Sequence, residues 1–198
     1  MKQRRLVTAA LIAALVGAAL AGPPEAAEFK GGLLTPSRPA PEIALDAQDG
    51  KPFRLSQERG KVVAVWFGYT FCPDVCPTTL AELAVARKEL GPDAERFRIV
   101  FVTVDPERDT PARLREYAGA FGGSFTALTG PPERLAEVRK AYGVVAEKRV
   151  VAGTAASYLI DHSAFVYVVD PAGQLRLMFP FGMKVDDMVH DIKRLLAK

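Results

Sequence analysis

Cys72 and Cys76 are the only cysteines in 198 residues, and three residues separate them in the run Gly68-Tyr69-Thr70-Phe71-Cys72-Pro73-Asp74-Val75-Cys76-Pro77. Two sulfurs this close can form a disulfide or chelate a soft metal such as Cu(I) or Zn. Two cysteines cannot staple a chain of this length, so buried apolar surface must hold the core and the thiols are free for chemistry. Inert burial is the common fate of a free cysteine, but a pair in a proline-bounded loop between strand and helix is not an ordinary core pattern. A purely structural bridge would close a five-residue span and constrain little chain entropy. A residue before proline is pushed out of the α region, which predicts that Cys72 and Cys76 both lie in the loop or at its edge. The helix predicted from Pro77 would aim unpaired N–H groups and its positive end near Cys76 and favour thiolate there. Two thiolates leave a metal undercoordinated, and only His162 and His190 are present to complete the set.

The elements that must position these groups are marked by proline and glycine. Three helices start near a proline and stop before a glycine: Pro77 to Leu90, Pro111 to Phe121 with Asp109 and Thr110 as candidate caps, and Pro131 to Tyr142. A fourth runs from Lys184 to Leu196, where Val185, Met188, Val189, Ile192, Leu195 and Leu196 recur on one face. Strands are predicted at Val62 to Tyr69, Phe97 to Val104, Phe125 to Leu128, Tyr158 to Val169 and Gln174 to Phe179, the last two joined by the turn Asp170-Pro171-Ala172-Gly173. The first two are continuous apolar runs, as central strands covered on both faces require. The order predicts an α/β fold, a thioredoxin-like mixed central sheet flanked by helices. Ile43 to Leu45 and Phe53 to Leu55, joined through Asp49-Gly50, predict an N-terminal β-hairpin extension. In such sheets ligands gather at the carboxyl ends of strands, where the cysteine loop falls. The same layout brings Asp161-His162-Ser163 near that loop, which makes His162 the candidate third ligand; Asp161 is a candidate supporting partner, with surface solvation as its default reading. His190 falls opposite the apolar stripe of the last helix and reads as a solvated surface residue.

Lys2, Arg4 and Arg5 precede an uncharged run from Leu6 to Ala21, ended by Gly22-Pro23-Pro24. This is the pattern of a secretory signal or an N-terminal membrane anchor. The run has 16 residues, short of the roughly 20 that span a bilayer, and Ala19-Leu20-Ala21 offers small residues for cleavage. Positive charge before the apolar run predicts a domain on the outer side. The expected organisation is residues 1–22 as signal peptide or anchor, 23–41 as a linker stiffened by Pro36, Pro39 and Pro41, and 42–198 as the thioredoxin-like domain. With 49% apolar and 25% charged residues the chain is not of disordered composition. The net charge of +3 resides in its first three cations, since the 26 cations less these three equal the 23 acids. Nucleic-acid binding by charge alone is therefore not indicated.

Three blocks together resemble the signature of the Sco/SenC family. They are Phe67-Gly68-Tyr69-Thr70-Phe71-Cys72-Pro73-Asp74-Val75-Cys76-Pro77-Thr78-Thr79-Leu80, Val102-Thr103-Val104-Asp105-Pro106-Glu107-Arg108-Asp109-Thr110-Pro111, and Asp161-His162-Ser163. The similarity runs in order from about Ile43 to the C-terminus. That family comprises membrane-anchored, thioredoxin-like copper proteins that assist cytochrome c oxidase assembly. The resemblance implies that Cys72, Cys76 and His162 are copper ligands and that the N-terminal run is an anchor. It implies delivery of Cu(I) or Cu(II) to the binuclear copper centre of the oxidase's copper-site subunit, at the outer face of the cytoplasmic membrane or in the periplasm. Neither the upstream copper donor nor the thiol reductant is named by these residues.

A second function class stays open, a thiol-disulfide oxidoreductase that reduces the oxidase subunit's cysteines with the pair Cys72 and Cys76. Its usual motif is C-x-x-C, whereas three residues intervene here. A peroxidase of the peroxiredoxin type ranks third, because peroxide reduction needs no dithiol with a histidine beside it; a redox or copper sensor is a further alternative. Asp105 to Pro111 follows a buried strand on the edge that bears the cysteine loop. Its acids read as caps and local ion pairs before they read as a partner surface. Met178 and Met183 read as packing rather than thioether ligands, and Trp66 reads as core.

Overall fold

The protein is described by a computed structural model over residues 29–151 and 158–197. The expected signal or anchor, residues 1–22, lies outside the described residues. Among the described residues no helix is long and apolar enough to cross a membrane.

In chain order the elements are β1 (Gly32–Pro39), β2 (Ala44–Ala47), β3 (Pro52–Arg54), β4 (Val62–Gly68), α1 (Val75–Glu89), β5 (Phe97–Thr103) and α2 (Pro111–Ala120). They continue with β6 (Thr126–Thr129), α3 (Pro132–Tyr142), β7 (Ala146–Val150), β8 (Tyr158–His162), β9 (Phe165–Val169), β10 (Gln174–Pro180) and α4 (Val185–Leu196). Eight strands form one sheet in the order β1-β10-β9-β4-β5-β6-β2-β3, while β7 and β8 pair apart from it. Strands β4, β5 and β6 are parallel, and β9 runs antiparallel to β4. Every residue of β4 is buried, which is what its unbroken apolar run demands of a strand covered on both faces.

Alternation along β4 sends Trp66 and Phe67 to opposite faces. Phe101, paired with Trp66 across the sheet, touches Tyr117 of α2, whereas Phe67 packs on Tyr142 of α3 and on Tyr167. Helices α1 and α4 pack against each other, and the apolar stripe of α4 is buried. The predicted N-terminal hairpin forms from β2 and β3. Thr110 caps α2 by accepting the Arg113 N–H at 3.2 Å, and α3 stops at Gly143 in the left-handed region, φ 71°, which a glycine adopts without steric cost.

Three expectations are corrected. The linker reading fails over Gly32–Pro39, which is an edge strand paired with β10. Proline is tolerated at a sheet edge and at a bulge, and the register shifts between Leu33 and Arg38, around Pro36. The single strand predicted from Tyr158 to Val169 is two. Polar Asp161-His162-Ser163 cannot continue into a sheet interior that excludes water, so β8 leaves the main sheet and pairs with β7. Strand β7, Ala-Glu-Lys-Arg-Val, is almost wholly exposed and carries no apolar alternation by which to read it. Finally, α1 begins at Val75 and not at Pro77, which places Cys76 in its first turn, at the edge of the loop.

Candidate metal centre

Strand β4 ends at Gly68, and the loop that follows turns over the carboxyl edge of the sheet before α1 begins. Cys72 lies in this loop, half-buried, and Cys76 lies in the first turn of α1, fully buried. The Cys76 N–H donates to Cys72 Sγ at 3.4 Å. An unpaired first-turn amide therefore serves the loop sulfur rather than the helix sulfur.

His162 arrives from 86 residues further on, at the end of β8, with its Nε2 3.3 Å from Cys76 Sγ. Its Nδ1 lies 3.0 Å from the Ser163 carbonyl oxygen. That oxygen can only accept, so Nδ1 carries the proton and Nε2 presents a lone pair to the sulfurs. The ligand atoms of Cys72, Cys76 and His162 lie within 4.8 Å of one another. Three ligands around one ion at about 2.0–2.3 Å would lie about 3.5–4 Å apart, so sub-ångström side-chain shifts close the set. A cleft of about 290 Å³, lined by Cys72, His162, Tyr69 and Arg149 among others, opens beside it.

The two thiols titrate as a pair that keeps one proton. The hydrogen bond with Cys76, joined by those from the backbone of Asp74 and Cys76, pulls Cys72 down to about 4 against the opposing effect of burial. Cys76 is pushed up, first by that same hydrogen bond and then by burial; the Tyr69 backbone and the Trp66 side chain pull the other way. The thiolate expected at Cys76 from the helix dipole thus belongs to Cys72, because Cys76 is the more deeply desolvated and acts as donor to its neighbour.

The hairpin that carries His162 is held by groups whose roles the sequence left open. The Tyr69 hydroxyl accepts the Ile160 N–H at 3.2 Å. Asp105, with no exposed surface, accepts from Arg108 Nε at 2.5 Å and from the Tyr158 hydroxyl at 2.8 Å. The Arg108 guanidinium also covers the Tyr158 ring at 3.6 Å and donates to its carbonyl at 3.0 Å. Asp109 does not cap α2. It is buried and accepts from the Thr70 N–H and hydroxyl and from the Thr103 hydroxyl, which ties the cysteine loop to β5; burial raises its pKa.

Asp161 does not support His162. It is exposed and pairs with Arg149 at 3.0 Å, since the imidazole N–H is already taken by Ser163. His190 is partly exposed on α4 and bonded to Asp191, and it is not part of the group formed by Cys72, Cys76 and His162. Met183 is buried in the core and Met178 packs against it. Trp66 is core, as read, but its ring edge also meets His162 at 5.7 Å between centroids. An apolar run in a central strand gives no sign of that contact.

A mixed sheet of thioredoxin-like plan, with a dithiol and an imidazole gathered at the carboxyl end of a central strand, defines the class: a thioredoxin-like domain equipped to hold a soft metal ion or to exchange disulfides. The particular family is SCO1/SenC, to which the chain belongs, matching it over residues 36–197. It is similar to a SCO2-like protein of Rickettsia conorii, with 33% identity over 152 residues, 77% of this chain and 74% of that protein. Its fold is similar to the solution structure of apo Sco1 from Thermus thermophilus, with TM-score 0.74 and 42% identity over 84% of this chain and 96% of that one. It is similar too to Bradyrhizobium japonicum ScoI with copper bound, with TM-score 0.72 and 34% identity over 80% of this chain and 99% of that one.

Proposed function

We propose that this protein is a copper carrier in which Cys72, Cys76 and His162 bind Cu(I) or Cu(II) and pass it to the binuclear copper centre of a cytochrome c oxidase subunit. One observation carries the reading: ligand atoms from two segments 86 residues apart come within 4.8 Å of one another beside an open cleft. Two sulfurs suit Cu(I), and the imidazole lets the same set accept Cu(II). The copper-bound state of Bradyrhizobium japonicum ScoI supports copper as the cargo. In this reading residues 1–22 export the domain or tether it, so that it works at the outer face of the membrane or in the periplasm.

The residues divide the work. Cys72, already deprotonated at neutral pH, meets the ion first; Cys76 yields its proton on binding; His162 closes the set through Nε2. The half-buried position of Cys72 leaves a side from which a partner's thiolate can attack the metal and take it over. Binding needs both sulfurs reduced, so copper loading competes with formation of the Cys72–Cys76 disulfide.

The test is titration of the reduced protein with Cu(I) and Cu(II), wild type beside Cys72→Ser, Cys76→Ser and His162→Ala. Either serine variant is expected to lose tight Cu(I) binding. His162→Ala should lose more affinity than the roughly 10–100-fold typical of a residue that merely supports a ligand. Full stoichiometry and affinity in His162→Ala would remove the three-ligand reading.

The low pKa of the half-buried Cys72 and the buried, protonated Cys76 behind it also favour a second reading, a thiol-disulfide reductase. The Cys72 thiolate would attack a target disulfide and expel one target thiolate. Cys76 would then lose its proton and displace the second, leaving a Cys72–Cys76 disulfide for an external dithiol to reduce. That activity would survive His162→Ala, whereas copper binding would not.

A further inference from the structure

We propose that Arg108 is a positioning residue for the candidate centre, its guanidinium shared between Phe71 of the cysteine loop and Tyr158 of the histidine hairpin, so that the hold on Phe71 sets how firmly His162 is presented to the sulfurs. Phe71 stands beside Cys72 and, at 42% exposed, is not a core side chain. Two cations fix its ring instead: the Arg108 guanidinium lies 4.8 Å and the Arg113 guanidinium 5.2 Å from the ring centre.

Arg108 itself stands on a fixed base. The N–H groups of Arg108 and Asp109 both bond the Asp105 carbonyl, at 3.2 and 2.9 Å, and neither Asp105 nor Asp109 has exposed surface. The guanidinium spends its Nε on the Asp105 carboxylate and its Nη1 on the Tyr158 carbonyl. These bonds lie in its plane, which leaves its faces to aromatic rings: Tyr158 at 3.6 Å, Phe71 at 4.8 Å and Tyr69 at 5.7 Å. Its side chain is 17% exposed, and the attraction of a cation for a ring face grows as water is withdrawn.

The two segments that bring the candidate ligands thus meet on one side chain. Cys72 follows Phe71 directly, and Tyr158 opens the strand that ends at His162. A second tie between them, the Tyr69 hydroxyl on the Ile160 N–H, does not involve Phe71. A change at Phe71 that reaches the hairpin through Arg108 must vanish once the guanidinium plane is gone, because coupling carried by a shared partner shows as non-additivity. The consequence for metal release rests on the carrier reading above; the coupling between the two segments does not.

The test is hydrogen exchange over residues 158–162 in the full-length protein, reduced and free of metal. Wild type is compared with Phe71→Leu, Phe71→Tyr, Arg108→Lys and the double variant Phe71→Leu with Arg108→Lys. Leucine keeps apolar bulk and deletes the ring face, tyrosine keeps the ring, and lysine keeps the charge and deletes the plane. Phe71→Leu should quicken exchange in the hairpin about two- to fivefold, the size of one cation–π contact, and Phe71→Tyr should leave it as in wild type. In Arg108→Lys exchange should already be faster, and adding Phe71→Leu should change it by less than about twofold. Wild-type exchange in Phe71→Leu overturns the proposal, and so does an undiminished effect of Phe71→Leu in the Arg108→Lys background. Should Arg108→Lys not fold, leucine against tyrosine at the exposed position 71 decides. Release of bound Cu(I) to a chelator should quicken in Phe71→Leu by the same factor. A protein that takes no copper fails the carrier reading, and the metal-free exchange still decides this one.

Discussion

Cys72 and Cys76 differ in chemistry because they differ in surroundings by one turn of backbone. The loop sulfur receives the Cys76 amide at 3.4 Å and sits at the cleft, while the helix sulfur is fully buried. Cys72 lies well below, and Cys76 well above, the ordinary thiol range. Alkylation of the reduced protein by iodoacetamide should therefore proceed at Cys72 first. Its rate should stay nearly level from pH 8 to pH 6, because deprotonation at Cys72 is complete well above its pKa of about 4. An ordinary thiol would slow about tenfold per pH unit over the same interval. Cys76→Ala removes the largest cause of the depression, so in that variant the rate should fall with acidity as for a free thiol. A level profile in Cys76→Ala would show that another group governs Cys72.

At the scale of elements, the hairpin β7–β8 decides whether the site exists, because it carries His162 without belonging to the main sheet. Its hold on the loop after β5 is the Asp105, Arg108 and Tyr158 cluster, with the Tyr158 phenol pushed up to about 12 by burial and by its bond to Asp105. The phenol is thus protonated at neutral pH and able to donate. Tyr158→Phe keeps the ring under Arg108 and deletes that bond, whose net worth to a carboxylate is about 1.5–3 kcal/mol. Faster hydrogen exchange over 146–150 and 158–162 is expected, with copper release accelerated about tenfold or more, while alkylation of Cys72 is unchanged. Equal exchange rates in wild type and variant would show that the Tyr158–Asp105 bond does not fasten the hairpin.

Across the whole molecule, the first described residues close the sheet rather than hang from it. Asp191 of α4, with no exposed surface, accepts the N–H groups of Lys30 at 2.9 Å and Gly31 at 2.8 Å and bonds His190 Nδ1. Gly31 is required where it stands, since a Cβ would lie 2.7 Å from the Phe179 ring. This anchor feeds β1 onto the outer edge of β10, which would otherwise expose unpaired backbone groups. Asp191→Ala leaves two backbone donors unsatisfied and is expected to cost about 2–4 kcal/mol in urea denaturation, with copper affinity at Cys72, Cys76 and His162 held. A loss below about 0.5 kcal/mol would mean that strand pairing alone retains β1.

Much of the fold is written locally. Proline and glycine mark helix ends by their own sterics, and unbroken apolar runs such as Val62 to Phe67 declare strands without a wet face. The chemically capable side chains are few enough to name from the chain alone: two cysteines and two histidines, of which His162 stands at a polar break in a late apolar run. What the residues could not say locally is what lies across from them. Strand β7 is polar and shows no period because it pairs only along its edge with β8 and leaves both faces toward solvent. Gly32–Pro39 looks like linker because an edge strand tolerates proline. Cys76 and Trp66 share the space above Gly68 only because β4, α1 and β5 converge there. Partners distant in sequence are chosen by sheet register and helix packing, and no local pattern of apolar and polar residues encodes that choice.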